Sequence, residues 1–431
     1  MRHCSVSGSY VANQRLDSTH IISNMRVRGR FVLFSNTLAQ FLKSLNEDQF
    51  ARVPEPIQTW HAREPEGWFG LGPAEQKVKL EELAQYLSEL ISIFASDNEL
   101  KDAEPYQLLN RLFGEQCEFI HDKVQVKKKS EGATLQSPYD PDASCGHKGP
   151  GYSLHITETC NNNRKQEIIT DYEIHGAARS DIGKALSVIE RLDAAGCKPD
   201  TLFADGGYPS VPSALKVKEQ DIEFMTPVNR SRLPDDIVGR DRFQFNSEGL
   251  VTRCPQGHTP VDHRILSANN STRRSLHAIF AGNMCRACTM LDRCPVRTPN
   301  HRGRGCQARD TTGDFRLEIT PEIRLRDQMY ALQQTSEWKN RYKIRAGIEA
   351  TNSELKRAHG IGRLRVRRIA KVCFAVACKI IACNIKRWAK ALFKSPLHGC
   401  IPSLRVCLKL WSYMMGASLF KKQVLITAAT I

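Results

Sequence analysis

Strand-like and helical patterns alternate along this chain, and that alternation narrows the architecture before any single residue is weighed. SYVANQRLDSTHI has strand composition and ends in an Asp-Ser-Thr turn, which puts Asp17 near a strand's end. From about Arg26 to Lys129 the pattern is helical, as in NTLAQFLKSL and VKLEELAQYLSELISIFA, and a polar linker, SEGATLQSPYDPDASCGHKGPG, follows. YSLHITETC (152 to 160) and QEIITDYEIHG (166 to 176) read as two strands joined by the Asn-rich hairpin loop NNNRK. Ser180 and Asp181 offer a helix start; Ile182, Leu186, Ile189 and Leu192 keep helical spacing until Gly196 stops it. A short strand in TLFADGGY, a helical piece from Pro209, a strand in IEFMTPV (222 to 228) and, later, a long helix complete the order. Residues 229 to 330 interrupt it with a Gly/Pro/Cys-rich, mostly non-periodic stretch, read as a small inserted module. The order argues an α/β layer architecture with mixed sheet pairing, and no internal repeat is visible.

Charge narrows the partner. The chain has 431 residues, room for about two or three domains or for one domain with large insertions. Its net charge is +16, and between Arg341 and Lys371 ten Lys or Arg face only Glu349 and Glu354. Half of the excess therefore sits in one short segment, which includes Arg357, Arg363 and Arg365 and points to a polyanion, most simply DNA or RNA. MRHCSVSGSYVANQR lacks the apolar core of a secretion signal. The longest apolar stretch, KVCFAVACKIIACNI (371 to 385), is broken by Lys379 and too short to span a bilayer, so it reads as a buried helix. Fifteen cysteines, an odd number, in a chain without a signal fit a cytosolic protein with reduced thiols.

The basic segment also carries chemistry. In YKIRAGIEATNSELK, Tyr342, Arg345, Glu349 and Lys356 are spaced three, four and seven apart, which stacks them on one face of a continuous helix. Ile344, Ile348 and Leu355 lie opposite, able to seat that helix on a core. One carboxylate framed by a phenol and two cations suits a metal ion and phosphates, although a solvated polar face has the same spacing. Asp205 closes an apolar strand and precedes Gly206 and Gly207, where a strand's carboxyl end opens onto a ligand crevice. Asp17 has the same setting. Asp17, Asp205 and Glu349 together offer hard oxygen ligands for Mg2+ or Mn2+, and a pair of such ions clamps both oxygens of a phosphodiester displacement.

The module at 229 to 330 holds CPQGH (254 to 258) and CRACTMLDRC (285 to 294). Cys285 and Cys288 form a C-x2-C knuckle, with Cys294 and Cys254 as loose partners and His258 as an alternative ligand. A structural zinc would staple an insertion expected to lack its own core; reduced core cysteines or redox chemistry are the alternatives. Arg273, Arg274, Arg302 and Arg304 would let the module touch phosphate. Cys373, Cys378 and Cys383, five apart, do not keep to one helical face, and core packing is the expected role.

RLDSTHI, FADGGYPS and the Tyr-x2-Arg-x3-Glu-x6-Lys segment resemble the three acidic motifs of DDE-type bacterial insertion-sequence transposases, over roughly residues 10 to 390. The resemblance implies a ribonuclease-H-like fold: a mixed five-stranded sheet with flanking helices, a helical insertion after the first strand and a Cys-rich one before the last catalytic helix. It divides the chain into a first core strand (1–25), a helical insertion and linker (26–135), core (136–228), the Cys-rich insertion (229–330), C-terminal core helices (331–395) and a tail (396–431). It implies Asp17, Asp205 and Glu349 as the catalytic, metal-holding triad. Tyr342, Arg345, Lys356, Arg357, Arg363 and Arg365 then stand as DNA-binding residues. Water would cut a strand, and the freed 3′ hydroxyl would attack target DNA. DPDASCGHKGPGY (140 to 152) also resembles a stretch recurrent in part of the family, so Asp140 and Asp142 compete with Asp17 as first carboxylate. Family members carry a helical DNA-binding segment before the first motif, where this chain has sixteen residues, which suggests a copy shortened at its N-terminus. Expected with the reading are Mg2+ or Mn2+, a homodimer on DNA, no membrane, and a bacterial, cytoplasmic, nucleoid-associated location. An inactive DNA-binding remnant and a structure-selective nuclease are the rival functions.

Overall fold

The computed structural model describes residues 11–25, 29–63, 72–121, 123–128, 133–160, 167–229, 237–267, 274–296 and 313–393. In chain order, β1 (Asn13–Ile22) is followed by α1 (Arg30–Leu42), α2 (Glu47–Ala51), α3 (Glu55–Arg63), α4 (Pro73–Phe94) and α5 (Glu104–Gln116). Next come β2 (Cys117–Ile120), β3 (Lys123–Val126), β4 (Ser144–Gly146), β5 (Gly149–Thr159), β6 (Ile169–Gly176) and α6 (Lys184–Ala194). β7 (Thr201–Ala204), α7 (Val211–Lys218) and β8 (Glu223–Met225) precede the short pair β9 (Gln244–Phe245) and β10 (Val251–Arg253). The rest is β11 (Asp262–Ser267), β12 (Arg274–Phe280), α8 (Gly282–Ala287), β13 (Phe315–Ile319), α9 (Pro321–Gln334), α10 (Ser336–Tyr342), α11 (Gly347–Arg357) and α12 (Ile369–Phe393). Strand ladders of both senses and many helices make a mixed α/β protein compatible with a ribonuclease-H-like fold.

The chain divides into two compact units: residues 1–16, 159–163 and 181–347 form the first, and 17–158, 164–180 and 348–431 the second. β1 passes from one to the other between Leu16 and Asp17. In the first unit β1 pairs parallel with β7, Asn13 to Leu16 against Thr201 to Ala204, and β7 pairs parallel with β8. Leu16 and Leu202 pack there with Val188, Ile189 and Leu192 of α6. That helix starts at Lys184 rather than at Ser180, because Gly183 at φ 81° turns the chain first, and Ile182 is left exposed. Gly196 at φ 71° ends it as expected.

The Cys-rich stretch of this unit was expected to be non-periodic and coreless. It is neither: β11, β12 and β13 form an antiparallel sheet, and Phe243, Val251, Phe280, Leu291, Phe315 and Leu317 bury a core of their own. Alternation in RSLHAIF and FRLEI, short and set among Gly and Pro, carries this sheet.

In the second unit α1, α4 and α5 pack through Phe34, Phe41, Leu87, Phe94 and Leu109. α4 begins at a proline, and Glu75 accepts the Gly72 N–H at 2.9 Å, supplying one of the acceptors a helix start needs. Residues 117 to 126, read as a continuation of the helical pattern, form the β2–β3 hairpin instead. β5 pairs antiparallel with β6, Tyr152 to Thr157 against Gly176 to Asp171, close to the expected limits, with NNNRK itself outside the described residues. β5 runs beside β1, and Gly151 makes that possible: a Cβ there would sit 2.1 Å from the Ile21 carbonyl oxygen.

From residue 133 to 151 the stretch read as a polar linker is not simply solvated. Asp140 is fully buried; its carboxylate accepts the hydroxyls of Ser23 and Tyr152 and the Arg368 N–H, the last at 2.7 Å. Asp142 accepts the Ile369 N–H at 2.8 Å. Two carboxylates therefore meet the orphan amides and positive dipole end of α12. α12 buries Val372, Val376, Ile380 and Cys383 against β5, β6 and α11 residues, while Cys378 is exposed, so only part of the cysteine series packs in a core. Among the described residues no helix is long and apolar enough to cross a membrane. The tail 396–431 lies outside them.

Candidate active site

The segment expected to be one helix is three pieces: α10 ends at Tyr342, Lys343–Ala346 form a 3-10 turn, and α11 starts at Gly347. Buried Arg15 of β1 explains the interruption. Its guanidinium donates to the Ile344 carbonyl at 2.8 Å, and Gly347 leaves the space, since a Cβ there would lie 2.0 Å from Arg15 Nη1. A tighter turn of about three residues replaces the α-helical one, so no single face runs through all four motif residues.

In the first unit Asp205 directly follows β7, as its position after an apolar strand suggests. Its Oδ1 accepts the Gly206 N–H at 2.6 Å, its side chain is 59% exposed, and Arg345 Nη2 lies 3.8 Å from Oδ2. Tyr342 donates its hydroxyl to the Ala204 carbonyl at 2.9 Å and stacks on Trp338 at 4.6 Å, which pins α10 to the end of β7. Trp338, Tyr342 and Ile344 pack against Phe203 and Met225. Arg341 grips Glu223 of β8 with both guanidinium nitrogens, one at 2.8 Å. α10 is thus fastened to both parallel strands that precede and follow Asp205.

In the second unit Asp17 is buried on β1, and Asn352 of α11 donates Nδ2–H to its Oδ2 at 3.0 Å. Ile348 and Leu355 are fully buried beneath α11, as their spacing requires. Glu349 and Lys356, seven apart, are exposed on an adjacent face, and Asn352, three residues beyond Glu349 and four before Lys356, is buried at its edge. Thr351 and Glu354 occupy the opposite flank, where they meet Arg387 of α12, Nη2 lying 2.6 Å from Thr351 Oγ1 and 2.9 Å from Glu354 Oε2. Fully buried Glu158 of β5 accepts Thr351 Oγ1–H at 2.7 Å and Arg387 Nη1–H at 2.9 Å.

Cations gather around Asp17. Burial first, and then Lys148, hold the Lys356 ammonium below its ordinary pKa, with Asp17 opposing them. Burial, Lys148 and Lys356 likewise hold His20 below the usual imidazole range. Lys148 lies in the turn from β4 to β5 and was not singled out from sequence; a lone exposed lysine carries no spacing signal. Arg357, Arg363 and Arg365 are exposed and make no ion pair among the described residues. Asn352 was also missed, because one amide on a polar helical face looks like any other. Asp142 is engaged at the start of α12, and Asp140 is buried between that helix start, Tyr152 and Ser23 just after β1.

The four module cysteines lie near enough to feel one another's charge, but no three of them form a group with all sulfurs within 4.8 Å. Cys285 is buried, and Cys254 and Cys294 pack against the same core. Burial, then Cys294, Cys288 and Cys254, push the Cys285 thiol up to about 12. Burial raises Cys294 to about 11, with Cys254 and Cys288 adding to it. The CPQGH loop closes on itself, Cys254 N–H to the His258 carbonyl at 2.8 Å, with Gly257 at φ 82°. Arg273, Arg302 and Arg304 lie outside the described residues, and Arg274 begins β12. A second cluster, Glu354, His359 and Cys383, has the right atoms for a cation, but Lys386 and Arg387 already occupy Glu354.

Residues 253–389 match a protein family described as the transposase DDE domain. The match takes in Arg345, Glu349, Lys356 and the four cysteines, while Asp17 and Asp205 precede it. No curated protein and no solved structure matches the chain.

The charge cluster yields a measurable sign. Lys148→Ala removes a positive neighbour and makes protonation of His20 easier, so its NMR titration midpoint should rise. Lys356→Ala should raise it as well. Midpoints unmoved in both variants would show that these lysines do not surround β1.

Proposed function

From a chain that carries a transposase DDE domain over 253–389, a family of DNA-cutting enzymes, we propose a transposase that cleaves strands at insertion-sequence ends and joins them to target DNA. The observation that carries the proposal is the bond from α11 to Asp17: it brings the helix of Glu349 and Lys356, inside the family match, to a carboxylate outside it. Asp17, Asp205 and Glu349 are the proposed catalytic carboxylates. Their donor set is all oxygen, and Asp205 and Glu349 are exposed, which fits Mg2+ or Mn2+ rather than a thiophilic metal. When bound, such ions stabilise charge on the attacking and leaving oxygens of a phosphodiester.

The chain's own cations do the rest. Lys356 and Lys148 hold phosphate beside Asp17; Arg357, Arg363 and Arg365 extend the basic track along the DNA backbone. Arg345, near Asp205, gives a planar donor for phosphate oxygen. Cys254, Cys285, Cys288 and Cys294 are proposed to hold a structural zinc, whose charge would relieve the mutual repulsion of clustered thiolates. A homodimer on DNA, in the bacterial cytoplasm at the nucleoid, completes the reading.

Glu349→Gln keeps size and polarity but removes a charge that helps hold the cation. Mn2+-dependent nicking should fall by about a hundredfold or more, several kcal/mol of stabilisation having gone, while DNA affinity stays level or rises slightly. Lys356→Ala should instead weaken binding to all sequences alike and lower the salt slope by about one. Equal nicking by Glu349→Gln and wild type would remove Glu349 from the site, and wild-type DNA binding without nicking under any divalent ion would favour an inactive remnant. Metal analysis of purified protein should find zinc, and a chelator should lower the melting temperature by more than about 5 °C. Zinc-free protein with all four thiols freely titratable would contradict the zinc assignment.

A further inference from the structure

We propose that Asn352 belongs to the metal site, its amide nitrogen fixing the Asp17 carboxylate and its carbonyl oxygen serving as a neutral ligand. The inference rests on the transposase reading and adds a residue outside the Tyr-Arg-Glu-Lys pattern. A carboxylate oxygen only accepts, so the Asn352 atom 3.0 Å from Asp17 Oδ2 is the donor Nδ2, and Oδ1 necessarily points elsewhere. That Oδ1 is buried with no hydrogen-bond partner, on a residue only 9% exposed.

A native interior rarely leaves such an oxygen unmatched, and an ion is one of the standard reasons. The surroundings favour that reason. Asn352 is one helical turn from Glu349 and bonded to Asp17, so as a ligand its oxygen would add a hard donor without adding charge. The Nδ2–H bond also restricts Asp17, in the way outer partners orient metal-binding carboxylates. Packing cannot be the whole role, because Ile348 and Leu355 already seat this helix and an apolar residue would fill the position without an orphaned oxygen.

Mn2+ binding to the full chain, read from the loss of the free-ion electron paramagnetic resonance signal, tests this without DNA or turnover. Wild type should bind Mn2+, Asp17→Asn should abolish binding, and Asn352→Ala should weaken it at least about tenfold. Asn352→Asp keeps an oxygen in place and should restore affinity to the wild-type level or beyond. Circular dichroism identifies folded variants; if Asn352→Ala does not fold, the Asn352→Asp and Asn352→Ser pair reads the same contrast. Undiminished affinity in Asn352→Ala, or in Asn352→Ser when that variant stands in, overturns the proposal while leaving the transposase reading intact. Equal loss in Asn352→Asp overturns the ligand role. Wild type that binds no Mn2+, with Asp17→Asn indistinguishable from it, would instead sink the metal-dependent reading and this inference with it.

Discussion

Arg387 is the interaction on which the packing of α11 in the second unit depends. It reaches from α12 to fully buried Glu158 on β5 and to Thr351 and Glu354 on α11, so one guanidinium ties two helices to a strand. Burial alone would lower its pKa; Glu158, with its other anionic neighbours, more than offsets that. Glu354 is kept below the usual carboxylate range in the same way, Lys386 and Arg387 prevailing over burial. Breaking such a buried pair by removing one partner typically costs about 3–5 kcal/mol, because the remaining charge is stranded. With Thr351 and Glu354 held on one flank of α11, Asn352 and Lys356 are committed to the other, toward Asp17. The rotation of the helix is therefore set by charge as much as by Ile348 and Leu355.

The first unit solves a similar problem with different chemistry. Asp205 stands at the end of β7 with its side chain mostly in solvent, and the neighbouring backbone is secured by Tyr342 and Arg341 rather than by burial of the aspartate. Arg15 then takes the Ile344 carbonyl and converts what sequence periodicity reads as one helix into a helix, a tight turn and a second helix. Periodicity records spacing along the chain; it does not register a carbonyl claimed by a residue about 330 positions away.

That contrast explains what was legible. The β5–β6 hairpin, the strand before Asp205 and the stop at Gly196 were readable because each rests on local alternation, turn residues or a glycine with positive φ. The Asp-Ser-Thr turn expected at Asp17 is absent: β1 runs on from Asn13 to Ile22, which puts Asp17 in mid-strand rather than near its end. The burial of Ile348 and Leu355 followed from their seven-residue interval. The second core around Phe280 and Phe315 was not readable, since its strands are short and scattered among loops. Neither was Asp140: a carboxylate in a Pro- and Ser-rich stretch looks solvated until Tyr152, Ser23 and Arg368 close on it. Asn352 and Lys148 escaped because their meaning lies in a neighbour, Asp17 for one and Lys356 for the other.

In the proposed function, carboxylates from separate segments of the chain perform metal-dependent strand cleavage. Supercoiled plasmid incubated with the full chain and Mn2+ tests it directly, with product ends analysed for wild type, Asp17→Asn and Asp205→Asn. The account predicts nicks bearing 3′ hydroxyl ends from wild type, and none above background from either variant. Nicking that survives either substitution undiminished would contradict it.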